Sequence, residues 1–363
     1  MAINIQKILA KRPQNAVKNL GSASKVLIMN SKDIISAIKD KPMIVMACNI
    51  RIRHVVPGIM RAAEELDAIV GYELAKSEGD IDGGYTGQTP KIFFDTLIGY
   101  AEKTGFTKPF FIHGDHIQVK STTEKDVESA RKLIAAELEA GYTSFAIDAS
   151  FNEIPDNVRI TTDLAKPIIA AGLGLEGEVG EIKLAASTEQ EAVTTVSEAV
   201  EYVSGIFANS VPLTMLAINN GAKHGNYLEG YPVHIDLERT GQIYEAVKKY
   251  GLVIAQHGIT GTPLEIIGRF ADFGIRKGNV GTHWQNIAYK HMPPDLFSEM
   301  TKWAEANKKD IKYTTKVFKK EIDSIPEKYI KAMEDEAYVT AREFITAFRA
   351  AGSATYVMEK MSG

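Results

Sequence analysis

The chain has 363 residues, 45% of them apolar and 24% charged, a balance that supports a sizeable buried core. Its 42 basic and 46 acidic residues leave a net charge of −4, which excludes a global polycation for nucleic acid and an acidic tail. The one cysteine, Cys48, excludes a disulfide framework and a cysteine-rich metal site and fits a reducing compartment, the cytoplasm.

The first residues, MAINIQKILAKRPQNAVKNLGSASK, lack the apolar core of a secretion signal. Lys7, Lys11, Arg12, Lys18 and Lys25 meet no acid before Asp33. Residues 1–26 are expected to form a basic arm that packs on a neighbour or on the base of the fold, with a transit peptide as the alternative. No later run approaches the ~20 apolar residues that span a bilayer, so no membrane partner is expected. Short apolar segments then recur at 43–50, 67–74, 110–117, 144–150, 172–180, 213–221, 252–260 and 274–282. Between them lie stretches with apolar residues three and four apart. EKDVESARKLIAAELEAG (124–141) has an acidic start and a glycine stop, a helix is expected near 196–206, and DLERTGQIYEAVKKYG (236–251) again ends in Gly. Eight strands alternating with helices predict a parallel sheet, and eight is the number that closes a (β/α)8 TIM barrel. The alternative is an open doubly wound sheet, but no GxGxxG follows the first strand. Extra C-terminal helices follow over 295–350. The clearest is EKYIKAMEDEAYVTAREFITAFRAAG, with Ile330, Met333, Ala337 and Phe344 near one face and an end at Gly352. Residues 27–363 are expected to be one barrel domain that includes these helices, the last of which covers one end or makes a subunit contact.

The reactive residues fall at the C-terminal ends of the predicted strands, where barrel active sites form. His116, His224 and His257 end strands 3, 6 and 7, and three imidazoles with an open position make a catalytic zinc arrangement. Any one of them alone reads as a hydrogen-bonded core histidine; three at equivalent places read as ligands. His113 lies three residues before His116, which on a regular strand turns it to the opposite face; it is expected to pack or to support a ligand from behind. His54, His234 and His291 are read as surface residues. Asp115 suits a ligand support, a proton donor or a strand-end cap. Asp148 and Glu178 suit a second cation, orientation of the ligands, or a salt bridge in the mouth. HGITGT and GNVGT bring Gly, Thr and backbone N–H groups to the ends of strands 7 and 8, a usual place for phosphate in barrels. Thr262 followed by Pro263 also reads as a helix N-cap.

These blocks resemble the class II, metal-dependent fructose- and tagatose-bisphosphate aldolases, and more closely their shorter-loop branch. The resemblance rests on IHGDHIQ, the ID-x-S turn with PDN after it, LEGEVG, INNGAKHGNY, AQHGITG, KGNVGT and the closing FRAAGSA, and it spans residues 27–355. It implies zinc on His116, His224 and His257, with Asp115 polarising or protonating the aldehyde oxygen. It places Asp148 and Glu178 on carboxylates linked to a secondary metal position. Gly225, Gly258, Thr260, Asn279 and Thr282 fall on the phosphate and dihydroxyacetone site, and Asn49 matches the family's asparagine at the end of strand 1. Three places depart from the pattern. Strand 8 reads Asn279-Val280-Gly281-Thr282-His283 where the family reads like N-I-D-T-D, and the nearest residue to the usual strand 2 serine is Glu73. The loop after strand 5, EVGEIKLAASTEQEA, lacks the Gly-Gly stretch followed by acids. Glu181 is the first candidate for the base, with Glu189 and Glu73 after it.

The implied activity is reversible aldol cleavage of a ketose (bis)phosphate, such as fructose 1,6-bisphosphate, to dihydroxyacetone phosphate and an aldehyde. Such cleavage needs an electron sink, either a lysine imine or a divalent metal. No lysine reads as lying in an apolar strand interior with an activating partner; Lys223 is the nearest, so the metal is preferred. Three alternatives are weighed. A barrel hydrolase is disfavoured because strand 1 ends in Cys48-Asn49-Ile50 without an HxH pair. A non-catalytic or regulatory aldolase-like subunit and another barrel metal-dependent lyase are the others. A homo-oligomer, dimer or higher, follows from the resemblance.

Overall fold

The computed structural model describes residues 3–21, 23–181, 193–223, 225 and 234–363. Eight parallel strands close into a barrel in sequence order: β1 Val45–Asn49, β2 Val70–Ala75, β3 Phe110–Gln118, β4 Ser144–Asp148, β5 Gly174–Val179, β6 Met215–Ile218, β7 Val253–Gln256 and β8 Ile275–Val280. β1 pairs with β8 through Val45↔Lys277 and Ala47↔Asn279, and this pairing closes the ring. The (β/α)8 barrel expected from eight apolar segments is the architecture found, and the open sheet is set aside. Every strand core is buried on both faces, which is why the segments read as near-continuous apolar runs.

The helices form where sequence signals place them. Glu124–Ala140 stops at Gly141, which takes φ +105°. Val196–Ala208 starts at a capping box, in which the Thr195 side chain accepts from the Glu198 N–H and the Glu198 carboxylate from the Thr195 N–H. The segment 236–251 divides into a helix Leu237–Val247, capped by Asp236, and a 3-10 turn Lys248–Tyr250 before left-handed Gly251. Thr262 does not cap with its side chain. The helix there is only Leu264–Ile267, with Pro263 itself at the N-cap.

The C-terminal helix Glu327–Ala347 packs on Val56–Glu65. Gly58 permits this, since a Cβ there would lie 2.1 Å from the Glu334 carbonyl oxygen. The base of the barrel is sealed by three helices, Ile5–Ala10, Ser31–Ile38 and Ser353–Ser362. Ile8, Ile34 and Val357 join inward-facing Val45, Phe111, Met215 and Val253 in one buried cluster. The basic arm therefore folds onto the base, where Lys7 Nζ donates to the Ser362 carbonyl oxygen at 3.1 Å. Among the described residues no helix is long and apolar enough to cross a membrane.

Candidate active site

The barrel interior changes character from base to mouth. Above the apolar plug lies a layer of buried charge: Glu73, His113, Glu176 and Lys277. Lys277 Nζ lies 3.0 Å from Glu176 Oε2 and 3.2 Å from Glu73 Oε2. The two carboxyls titrate apart. Burial works against ionisation in both, but Lys277 and His257 hold Glu176 well below the usual range, while burial and Asp115 push Glu73 well above it. Lys277 is thus the buried strand lysine that sequence reading did not register. Despite burial, the carboxylates around it raise its pKa, so it stays an ammonium and is not a free amine for an imine. The visible signal was period-two alternation, which puts residue 277 on the same face as Asn279.

The next layer is the mouth. Asp115 and His116 both face it because β3 carries an extra residue there: the register with β4 slips between Gly114 and Ile117, and His116 takes φ +39°. The same bulge overturns the opposed-face argument for His113. It lies inside the barrel below Asp115, its Nδ1 2.6 Å from Ser144 Oγ.

His257 Nε2 is 2.8 Å from Glu176 Oε1, and Asn279 Nδ2 lies 3.3 Å from its Nδ1. An ionised Glu176 accepts only, so it selects the tautomer protonated at Nε2 and leaves the Nδ1 lone pair on the mouth side. The His116 and His257 rings are 4.4 Å apart between centroids. Asp148 Oδ2 and Glu178 Oε2 approach His116 Nδ1 at 3.4 and 3.0 Å. Burial and the charge of Asp148 push Glu178 up to about 8, against the pull of His116. His116 itself is raised: Glu178, Asp115 and Asp148 outweigh its burial. Asp115 receives Asn49 Nδ2 at 2.9 Å on one oxygen and Asn279 Nδ2 at 3.0 Å on the other. Its burial opposes ionisation, yet His116, Lys277 and His257 hold it well below the usual carboxylate range.

A cavity of about 160 Å³ opens above these residues and is lined by Asn49, Asp115, His116, Gly225, His257, Gly258, Thr260, Asn279 and Thr282. The structure thus brings together nine of the residues singled out from sequence. Asp148 and Glu178 sit beside His116 rather than on the cavity wall. Glu181 follows Gly180, whose φ of +85° ends β5 and frees the next residue from strand alternation. Asn219 Nδ2 holds the Glu181 carbonyl oxygen at 2.8 Å. His224 and Glu189 lie outside the described residues. Glu73 is not at the mouth: the inward residue there is Ala75, two positions further on. His54, read as a surface residue, is 3% exposed, its Nε2 2.8 Å from the Ile322 carbonyl oxygen.

Arg51, Glu78, Tyr85 and Lys312 also line the cavity, Arg51 beside Thr282 and Glu78 beside Asn49, and escaped sequence reading. They sit on connections, where no periodicity marks a direction.

Groups of ligand atoms lie close enough for a cation. Asp115, His116 and His257 offer atoms within 4.8 Å of one another, as do His116, Asp148 and Glu178. Imidazole with carboxylate is a donor set that zinc accepts. Asn279 Oδ1 is buried with no hydrogen-bond partner, one more oxygen in this layer. The residues present fit a divalent ion.

The family model for class-II fructose-bisphosphate aldolase matches residues 29–353. A fructose-bisphosphate aldolase of Streptococcus pneumoniae is 26% identical over 261 residues, 71% of this chain and 80% of that protein. One from Geobacillus stearothermophilus is 29% identical over 245 residues, 66% of this chain and 76% of that protein. Among solved structures, the YdjI aldolase from Escherichia coli K12 superposes with a TM-score of 0.63 at 18% identity, over 90% of this chain and 99% of that one. The fructose-bisphosphate aldolase from Campylobacter jejuni gives 0.66 at 15% identity, over 90% and 97%. The family match begins before β1 and reaches the start of the last helix, and the chain therefore belongs to the class-II fructose-bisphosphate aldolases, a family of carbon–carbon lyases.

Proposed function

We propose that this aldolase is zinc-dependent and cleaves a phosphorylated ketose of the fructose 1,6-bisphosphate kind to dihydroxyacetone phosphate and an aldehyde. The observation that carries the reading is the convergence of Asp115, His116 and His257 on one cavity with Thr260, Asn279 and Thr282. His116 and His257, with His224, would hold the ion, and Asp148 and Glu178 would orient His116 or hold a second cation. When bound, the ion supplies a Lewis acid at the ketone oxygen, worth several kcal/mol to the charge that develops there.

The protein's own groups do the rest. Thr260 Oγ1 already accepts the His283 N–H at 3.2 Å, so its hydroxyl proton is available for a phosphate oxygen. Gly225, Gly258 and Asn279 line the same wall, and Thr282 Oγ1 takes Arg51 Nη1 at 3.3 Å. Anchoring the phosphate there fixes the reacting carbon without adding to the barrier. Asp115, held by the amides of Asn49 and Asn279, serves the aldehyde half. In cleavage it takes the hydroxyl proton as the carbon–carbon bond breaks and the bonding pair passes to the ketone half; in synthesis it returns that proton. Glu181 is the proposed base at the ketone-half carbon.

The family match and the aldolase relatives favour this over a non-catalytic barrel subunit. We further propose a homo-oligomeric cytoplasmic enzyme with residues 27–363 as the barrel domain; the buried free thiol of Cys48 is in keeping with a reducing compartment. The test is a panel of ketose phosphates, single and double, assayed for release of dihydroxyacetone phosphate with and without chelator. Release that survives complete metal removal would defeat the zinc reading, and no release from any of them would defeat the substrate class.

A further inference from the structure

We infer that Glu78 is a positioning residue for the carbon–carbon step, acting through Asn49 on Asp115. The inference rests on the reading of Asp115 as the group that moves the hydroxyl proton of the aldehyde half.

Glu78 lies in the connection after β2, with its side chain only 5% exposed. Five donors converge on it. Oε1 accepts Arg51 Nε at 2.8 Å and Tyr85 Oη at 3.2 Å, and Arg51 Nη2 lies 2.7 Å away. Oε2 accepts the Ala75 N–H at 3.0 Å and Asn49 Nδ2 at 3.2 Å. Arg51 is held in turn by Gln285 Oε1 at 2.6 Å and by Thr282 Oγ1. The turn after β8 makes room for this guanidinium: a Cβ on Gly281 would come within 3.3 Å of Arg51 Nη2.

The consequence falls on one amide. Asn49 Nδ2 is shared between two carboxylates, Glu78 Oε2 at 3.2 Å and Asp115 Oδ2 at 2.9 Å. Both neighbours are acceptors, so only the NH2 end of the amide can face them. Glu78 therefore fixes which end Asn49 shows to Asp115. Asn279 fixes the other Asp115 oxygen independently. A salt bridge that served stability alone would have no need to end on the group that moves the proton. Here the chain of contacts runs from Gln285 through Arg51, Glu78 and Asn49 to Asp115.

With Gln at position 78, the new amide keeps its oxygen on Arg51 and turns its NH2 toward Asn49. Donor then meets donor, and Asn49 leaves its place on Asp115. Proton exchange at the reacting carbon of dihydroxyacetone phosphate does not use Asp115 and separates the two half-reactions. In the zinc-loaded holoenzyme, Glu78→Gln is expected to lower kcat for cleavage by about ten- to a hundredfold, the cost of a small misplacement. KM, exchange rate and zinc content stay at the wild-type level. Asn49→Ala combined with Glu78→Gln should cost less than the product of the single effects, because the two act in series. Glu78→Asp keeps the charge for Arg51 but draws it back from Asn49, and it carries the same selective loss if Glu78→Gln does not fold. Asp115→Asn is run alongside. If it fails to separate cleavage from exchange, the Asp115 reading is wrong and this inference goes with it. If it separates them but the Glu78 variants cleave normally, or lose exchange and cleavage equally, the role of Glu78 alone is overturned.

Discussion

Asp115 and His116 are consecutive in the chain, yet both side chains enter the mouth of the barrel, because the bulge between Gly114 and Ile117 sets His116 at φ +39°. A left-handed histidine costs on the order of 1–2 kcal/mol, and the imidazole is held there by Asp148 and Glu178 at Nδ1 and by the His257 ring. Strain retained at one residue so that two functional groups share one face is what a functional site predicts.

The first prediction concerns the ion those groups would hold. Purified protein should carry about one tightly bound divalent ion per chain, zinc by the donor set. His257→Ala should lose it and the activity together. The Nε2–H of His257 is committed to Glu176, so deleting the ring removes the lone pair on Nδ1 and also leaves Glu176 without one of its donors. Elemental analysis of the variant checks this, and full occupancy would take His257 off the ligand set.

The phosphate position gives the second prediction. Thr260→Val keeps the shape of the side chain and deletes the hydroxyl. Losing a hydrogen bond to a charged group costs about 1.5–3 kcal/mol, so kcat/KM should fall roughly ten- to a hundredfold. The lost contact to the His283 N–H is a local cost in the same loop, so the melting temperature is measured in parallel. An unchanged kcat/KM would place the phosphate on another wall.

Residue patterning made the barrel and one side of its mouth legible, and it stopped where backbone irregularity and connections begin. The strands declared themselves because apolar runs buried on both faces cannot be mistaken for surface. His116 and His257 declared themselves by lying at equivalent strand ends. The bulge left no mark, since alternation alone turns His113 and His116 to opposite faces. Glu73 was misplaced by one layer because a strand's last inward residue depends on where the mouth begins, which pairing with β3 decides. Arg51 and Glu78 gave no signal at all: they meet across 27 residues of chain, and the parallel pairing of β1 with β2 sets their two connections side by side. His54 read as exposed because its burial comes from the C-terminal helices, through Ile322.

Beneath the mouth, His113 sets a pH dependence of stability. Burial first, then the charge of Lys277, pull it down to about 3 from an ordinary value of 6.5, against Glu176 and Asp115. The folded imidazole therefore stays neutral where the unfolded one binds a proton. Unfolding takes up that proton below pH 6.5, so the contribution is intact above 6.5 and drains away as pH falls toward 3. The slope from one such group is at most about 1.4 kcal/mol per pH unit. His113→Asn, which keeps a polar contact for Ser144, should flatten that part of the curve between pH 6 and 4 in denaturant titrations. An undiminished slope in the variant would assign the acid sensitivity to the other carboxylates and histidines of the layer.

The last prediction concerns the base. The chain on either side of residues 182–192 is pinned to one residue at the end of β6. Asn219 Nδ2 donates to the Glu181 carbonyl oxygen at 2.8 Å, the Asn219 N–H donates to Thr194 Oγ1 at 3.0 Å, and the Thr194 N–H returns to the Asn219 carbonyl oxygen at 2.7 Å. Gly180 makes that pinning possible, since a Cβ there would lie 2.2 Å from Thr194 Oγ1. Glu181 is thus anchored by its backbone next to the mouth while its side chain is only half-buried, which suits a group that must reach a bound substrate. Glu73 is the opposite case: it is fully buried a layer below and paired with Lys277, and burial keeps its proton on. Glu181→Gln should slow proton exchange on dihydroxyacetone phosphate by at least about a hundredfold, the lower range for a general base, with zinc still bound. Glu73→Gln should instead leave exchange at the wild-type level, because it exchanges one neutral buried group for another of the same shape. Exchange that survives in Glu181→Gln would move the base to Glu189. Exchange that collapses in Glu73→Gln with its melting temperature intact would put it on β2, against the geometry of that layer. Wild-type protein with full zinc and no exchange at all would defeat the assignment of this mouth to the ketone half-reaction.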